Sequence, residues 1–412
     1  MLVGSYAPDP EGGAEKQCRL LSEALMTRGC NVDVLTFRHS RYGNTTAGVG
    51  NPAIYRFGRL GPYASNFRRA TESHVFSLAS PDDPSSTGVA DQQSRALAFW
   101  LALPAVWLSR LQFLIELRRF FNRQTNYYDV LHVHESGWLA GVAVALGWNL
   151  PTPIICKEST APALRPIGYD TPFRQTWDQY RRLANGWIAQ TPSIRKDLLT
   201  LGIADHIIHL LPNGVALPLL PAKPETSKDV LYVGNLTQGS HWKAFDVLFD
   251  AWIRIAKIRN DVKLTVVGSG DPTTWINLLQ KNEVRKSVDF TGHIADPSPF
   301  YQKTGIFVLP SRIEGMSNAL LEAMSWGLPC VVSDIPGNRA LIDHESEGLI
   351  IPVTNAPALT DAIMRLLQNP DLRSSLGRQA RNKVASNFEI QYVADRLTGI
   401  YKHLLGEQMA FT

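Results

Sequence analysis

The run Ile306-Phe307-Val308-Leu309-Pro310-Ser311-Arg312-Ile313-Glu314-Gly315-Met316-Ser317-Asn318-Ala319-Leu320-Leu321-Glu322-Ala323-Met324-Ser325-Trp326-Gly327-Leu328-Pro329-Cys330-Val331-Val332 carries the pattern that decides the fold. Its apolar, β-branched ends read as strands. Between them, Gly315 and Ser317 form a turn that opens a helix ending near Gly327. A strand that is apolar at every position, followed by a helix and a second such strand, is the repeating unit of a parallel sheet covered on both faces. The alternation extends outward to Val230–Val233, Leu264–Val267 and Val288–Phe290 on one side and Leu349–Ile351 on the other. This is a Rossmann-like α/β sheet, whose ligands bind beyond the carboxyl ends of the strands.

A second unit of this kind starts the chain. Leu2–Ser5 reads as a strand, and a loop through Pro8, Pro10, Gly12 and Gly13 leads into a helix with Ala14, Cys18, Leu21 and Leu25 on one face. Gly29 caps that helix, and the strand Val32–Phe37 follows. The pattern weakens after Arg38, and Ser80–Gly88 reads as a loop. It returns at Val130–Val133, Ile154–Cys156, Gly186–Ala189 and His206–Leu211. Pro218, Pro221 and Pro224 read as a linker, which places one domain over 1–217 and a second over 225–387. The closing helix, 388–406, is amphipathic through Phe388, Tyr392, Leu397, Ile400, Tyr401 and Leu404, a face suited to packing back on the first domain. With 412 residues, the chain exceeds the ~250–300 at which one core stops growing.

Composition narrows the function classes. A net charge of +4 is too small for a dedicated nucleic-acid binder, so no nucleic-acid partner is expected. The four cysteines are scattered, with no C-x-x-C pair, and read as reduced thiols. No run reaches the ~18 apolar residues of a membrane span, and Met1–Tyr6 lacks the character of a signal peptide. A cytoplasmic protein is expected.

The turn in the opening stretch also carries chemistry. Backbone N–H groups around Gly315, Met316, Ser317 and Asn318 open a helix, and such an N-terminus attracts a diphosphate. Glu314 precedes the helix and Glu322 lies about one turn inside it, so both can accept hydrogen bonds from sugar hydroxyls. A generic strand-to-helix connection with surface carboxylates is the plain alternative.

Two glutamates separated by seven residues, followed by Ala323-Met324 and Gly327-Leu328-Pro329, resemble the signature of glycosyltransferase family 4, and the resemblance runs over nearly the whole chain. It implies a GT-B architecture, two Rossmann-like domains facing a central cleft, and a retaining transfer of sugar from a nucleoside diphosphate sugar to an acceptor hydroxyl. UDP-sugars stand ahead of GDP-sugars as donors. Under the resemblance Glu314 contacts the transferred sugar and Glu322 the ribose. Gly12 and Gly13 resemble the amino-terminal loop whose backbone approaches the donor.

Further matches follow in order. Leu211-Pro212-Asn213-Gly214-Val215 is similar to the family's hinge motif. Val233-Gly234-Asn235-Leu236, leading to Lys243, resembles the segment that presents a basic pair to the diphosphate. Here Asn235 stands where Arg is usual and Ala244 where Gly is usual, so Lys243 carries that charge alone. Gly268 belongs to a Gly-rich turn beneath the nucleotide, and His293-Ile294 to a loop whose backbone reads the base. The segment Val332–Asn338 looks structural. Catalysis is assigned to Glu314, Lys243 and the Gly13 backbone.

Many relatives carry a His after the strand Ile154–Cys156; this chain has Lys157-Glu158-Ser159-Thr160. The alternating His132 and His134 read as strand-end residues rather than a metal pair, and neither a metal nor another cofactor is expected. Expected partners are the nucleotide-sugar donor and a saccharide or lipid-linked saccharide acceptor in bacterial surface polysaccharide or glycolipid assembly. Residues 95–123, with Phe99, Trp100, Trp107, Phe113 and Phe120 among clustered arginines, read either as core helices or as a peripheral contact with the inner face of the membrane. A GT-B phosphorylase or epimerase and a degenerate nucleotide-sugar-binding protein are the competing functions.

Overall fold

Parallel strands buried on both faces account for the unbroken apolar runs, and a computed structural model of the chain contains two such sheets. The structure describes residues 1–3, 12–37, 51–57, 108, 111–123, 128–134, 138–147, 152–159, 182–236 and 241–406. The expected loops at Pro8–Pro10 and Ser80–Gly88 lie outside them. The chain divides into a first unit, Met1–Gly214 with Ile390–Thr412, and a second, Val215–Glu389.

The first sheet contains β1 (Leu2–Val3), β2 (Asp33–Phe37), β3 (Ala53–Phe57), β4 (Leu131–Val133), β5 (Ile154–Glu158), β6 (Gly186–Ala189) and β7 (Ile208–Leu210). Its order is β3-β2-β1-β4-β5-β6-β7, so the winding reverses between β1 and β4. On one face the helix Gly13–Met26 packs with the closing helix Ile390–Leu404. Leu21, Leu25, Ile155 and Ile188 meet Ile390, Val393 and Leu397 there. Arg28 ties the two helices together through Asp395 at 2.5 Å and through Gln391. On the opposite face, Phe113, Leu117 and Phe121 from the helix over 111–123 join Leu131, Val133 and Trp187.

The second sheet contains β8 (Val230–Val233), β9 (Leu264–Val267), β10 (Val288–Gly292), β11 (Ile306–Leu309), β12 (Cys330–Ser333) and β13 (Gly348–Ile351), in the order β10-β9-β8-β11-β12-β13. Here the winding reverses between β8 and β11, which pair directly. The domain change falls at Gly214 rather than at the prolines, because the proline segment is bonded to the second unit and is not a free linker. Arg373, 2% exposed, donates to the Pro224 and Glu225 carbonyls at 2.9 and 3.1 Å. Arg381 donates to Pro218, and the Ala222 N–H to Trp326.

Candidate active site

At a reversal point the loops leaving the two neighbouring strands splay apart, which opens a crevice at their carboxyl ends. In the second unit those loops follow β8 and β11 and carry most of the residues singled out in the sequence. Ser317 caps the helix Asn318–Ser325, its hydroxyl accepting from the Leu320 N–H at 3.3 Å. The helix N-terminus is therefore fixed at the mouth of β11, with Gly315 and Met316 buried beneath it.

Lys243 reaches the same place from the loop after β8. Its Nζ lies 2.7 Å from the Glu314 Oε1, and the two side chains are 23% and 11% exposed. This ion pair brings the expected phosphate-binding cation and the expected sugar-binding carboxylate together across the reversal. Ala244, next to Lys243, has φ 55, a left-handed conformation, which is the physical reason a glycine suits that position.

Asn235 does different work. Its Oδ1 accepts from the Ser269 N–H at 3.1 Å and from the Ser269 hydroxyl at 2.9 Å. It thereby joins the loop after β8 to the Gly-rich turn after β9. Gly268 has φ +154, and a Cβ there would lie 2.1 Å from the Gly234 carbonyl oxygen, so only glycine permits that approach. Ile294 is partly buried against the unit's core. Glu322 lies beside the buried Tyr301, whose hydroxyl is held far above the usual range, first by burial and then by the Glu322 carboxylate.

Several supporting residues escaped the sequence reading. Arg312 forms a bidentate pair with Asp246 at 2.9 and 2.6 Å, and also donates to the His241 and Trp242 carbonyls. The loop carrying Glu314 is thus clamped to the segment carrying Lys243. Tyr232, fully buried on β8, has its hydroxyl pKa raised by desolvation and by Glu314. Gly337 looked merely structural in sequence, yet a Cβ there would lie 2.5 Å from both the Glu314 and Gly315 carbonyl oxygens. Asn338 and Ser333 brace the same loop, with Asn338 donating to the Ser333 carbonyl at 2.9 Å and the Ser333 hydroxyl to the Ser311 carbonyl. Gly337→Ala is expected to push the Glu314 backbone away and to lower transfer by about ten- to a hundredfold with the fold retained. Initial rates beside a thermal melt check this.

In the first unit, Gly12 and Gly13 begin the helix that follows β1, and the Gly12 N–H donates to the Glu15 Oε2 at 3.0 Å. The neighbouring strand ends hold a buried basic group. His132 and His134 stack at 4.2 Å, and the His132 Nδ1 lies 2.6 Å from the Tyr401 hydroxyl. Burial, and then the charge of Lys157, lowers the His132 pKa well below its usual value. Lys157 itself is 2% exposed, and burial lowers its pKa to about 8.

The two doubly wound parallel sheets define an α/β protein of the GT-B architecture. A family model described as glycosyl transferases group 1 matches residues 227–369, and a glycosyl transferase 4-like domain matches residues 12–214. The chain belongs to this glycosyltransferase family, family 4. It is 25% identical to the glycogen synthase of Mycobacterium tuberculosis over 97% of this chain and 93% of that one. It is 32% identical to an Escherichia coli UDP-Gal:alpha-D-GlcNAc-diphosphoundecaprenol alpha-1,3-galactosyltransferase over 47% of this chain and 54% of that one. The chain spans about half the length of several curated relatives it matches. In three dimensions it resembles Anabaena HepE, solved in complex with UDP, with a TM-score of 0.68, 14% identity, and coverage of 98% of this chain and 99% of that one.

Proposed function

We propose that the protein is a retaining glycosyltransferase that moves a sugar from a UDP-sugar, or second in order a GDP-sugar, to an acceptor hydroxyl in bacterial surface polysaccharide or glycolipid assembly. The observation that carries this reading is the Lys243–Glu314 pair at the reversal point of the second sheet. A diphosphate entering the crevice would meet the Lys243 ammonium and the helix N-terminus at Ser317–Asn318, which together neutralise the charge that grows as the leaving group departs. Glu314, released from Lys243 by the phosphate, would then accept from hydroxyls of the sugar. Glu322, beside Tyr301, is assigned to accept from the ribose hydroxyls. Retention follows if the acceptor attacks on the leaving-group face and a β-phosphate oxygen takes its proton, so that no protein carboxylate need act as nucleophile. The Gly13 backbone is assigned to the donor and the first unit to the acceptor. The reading requires no metal.

The Escherichia coli relative, by its name, uses UDP-galactose and a lipid diphosphate-linked acceptor, which supports UDP as the first donor to test and a lipid-linked saccharide as an acceptor class. Incubation with radiolabelled UDP- and GDP-sugars, with and without saccharide acceptors, tests the reading through nucleotide release. A binding protein would release none, and an epimerase would convert the sugar without an acceptor.

The two glutamates separate in this scheme. Glu322→Ala is expected to weaken UDP binding about tenfold, the loss of a charge-assisted hydrogen bond. Glu314→Ala is expected to leave UDP affinity within about threefold and to lower transfer about a hundredfold. Calorimetry with UDP on both variants, set beside transfer rates, checks the division, and equal losses of UDP affinity would remove it.

A further inference from the structure

The helix over 111–123 divides its side chains in a way the sequence left open. Phe113, Leu117 and Phe121 are 0%, 0% and 5% exposed, and Phe113 stacks on Phe37 with centroids 3.9 Å apart. These rings are core. Of the two readings of this segment, core helix and membrane contact, Phe113 fits the first, while Phe99, Trp100 and Trp107 lie outside the described residues. The opposite face is also apolar at its start. Leu111 and Ile115 are 52% and 43% exposed, and their four-residue step places them on one stripe. Along the same outward face, Arg118, Arg119 and Arg123 follow, all exposed. Glu116, the helix's single acidic residue, lies to the side of the stripe and accepts from Gln112 at 2.8 Å.

We propose that this face is a docking surface for an anionic lipid membrane, with Leu111 and Ile115 entering the acyl boundary and Arg118, Arg119 and Arg123 on the headgroup phosphates. Charge decides the occupant. Aliphatic side chains alone would suit any apolar partner, but three arginines on the same face match the negative potential of an anionic leaflet. The buried side of the helix is anchored in the first unit's core, so the outward face is presented by a fixed element. A lipid-linked acceptor would then meet the enzyme at the surface where it resides. That consequence rests on the transferase reading, whereas the docking surface does not.

The test uses the full chain and vesicles of phosphatidylcholine, alone or mixed with phosphatidylglycerol. Wild type is expected to cosediment with the mixed vesicles and not with the neutral ones. Arg118→Glu with Arg119→Glu should weaken that binding at least about thirtyfold. Leu111→Ser with Ile115→Ser should weaken it at all salt concentrations. Circular dichroism and UDP binding, unchanged in both variants, show that the fold and the donor site survive. Wild-type binding that is absent, or equal to that of the charge-reversed variant, overturns the proposal and leaves the donor site untouched. Concentration-dependent dimerisation lost in the serine variant also overturns it, since the face would then belong to a second copy.

Discussion

Lys243→Ala is expected to lower kcat/KM for the sugar donor about a thousandfold, the upper range for removing one group aimed at developing charge in a water-poor site. Two observations put the effect at that end. Where a second cation is usual, Asn235 is uncharged and its side-chain oxygen is engaged by Ser269, so no neighbouring charge in that loop replaces the ammonium. The substitution also leaves Glu314, 11% exposed, without its ion-pair partner. A carboxylate stranded there would repel the incoming diphosphate as well as lose its own compensation. The two losses separate in a double-mutant cycle. UDP affinity should fall more for Lys243→Ala in wild type than in a Glu314→Gln background, because the neutral amide imposes no repulsion. Additive effects would mean that the pair does not govern the diphosphate site. Asn235→Arg is no simple restoration of charge, since it removes the acceptor that holds Ser269.

How much of this was legible follows from where each interaction sits along the chain. β8 to β13 could be read because buried parallel strands spell themselves as apolar runs and the helices between them have their own period. β3 could not. Ala53-Ile54-Tyr55-Arg56-Phe57 is an edge strand containing a charged residue, and Arg56 is nonetheless 1% exposed. Prolines at 218, 221 and 224 looked like a linker because proline ends regular structure, but Arg373 and Arg381, far along the chain, gather the carbonyls of Pro224, Glu225 and Pro218. The same limit applies in the site. Glu314 and Glu322 share one local pattern. Arg312 with Asp246, and Gly337 beneath Glu314, meet only after β8, β11 and β12 have come together.

Lys157→Met is expected to raise the stability of the first unit by about 3 kcal/mol at pH 7. Lys157 is buried on β5, and its Nζ has no hydrogen-bond partner among the described residues. Desolvation lowers its pKa from 10.5 to about 8. At neutral pH the folded chain therefore keeps an ammonium where water does not reach it, at a cost set by the shift of roughly 2.5 units at about 1.4 kcal/mol each. Methionine fills similar space without the charge. The pH dependence identifies the cause. Between pH 8 and 10.5 the unfolded chain holds the Lys157 proton and the folded chain does not, so wild-type stability gains with rising pH through that window. Below pH 8 both states are protonated and the whole penalty is present. The advantage of the methionine variant should thus be full at pH 7 and fade toward zero by about pH 10.5. Urea unfolding at a series of pH values reads the difference directly, and taking differences cancels the titrations common to both proteins. An equal stability at pH 7, with equal slopes above pH 8, would mean that the folded chain gives the ammonium an anionic partner. If the methionine variant is more stable but transfers sugar poorly, the lysine is retained for its chemistry at a cost in stability, as expected of a buried basic group at the carboxyl end of a sheet.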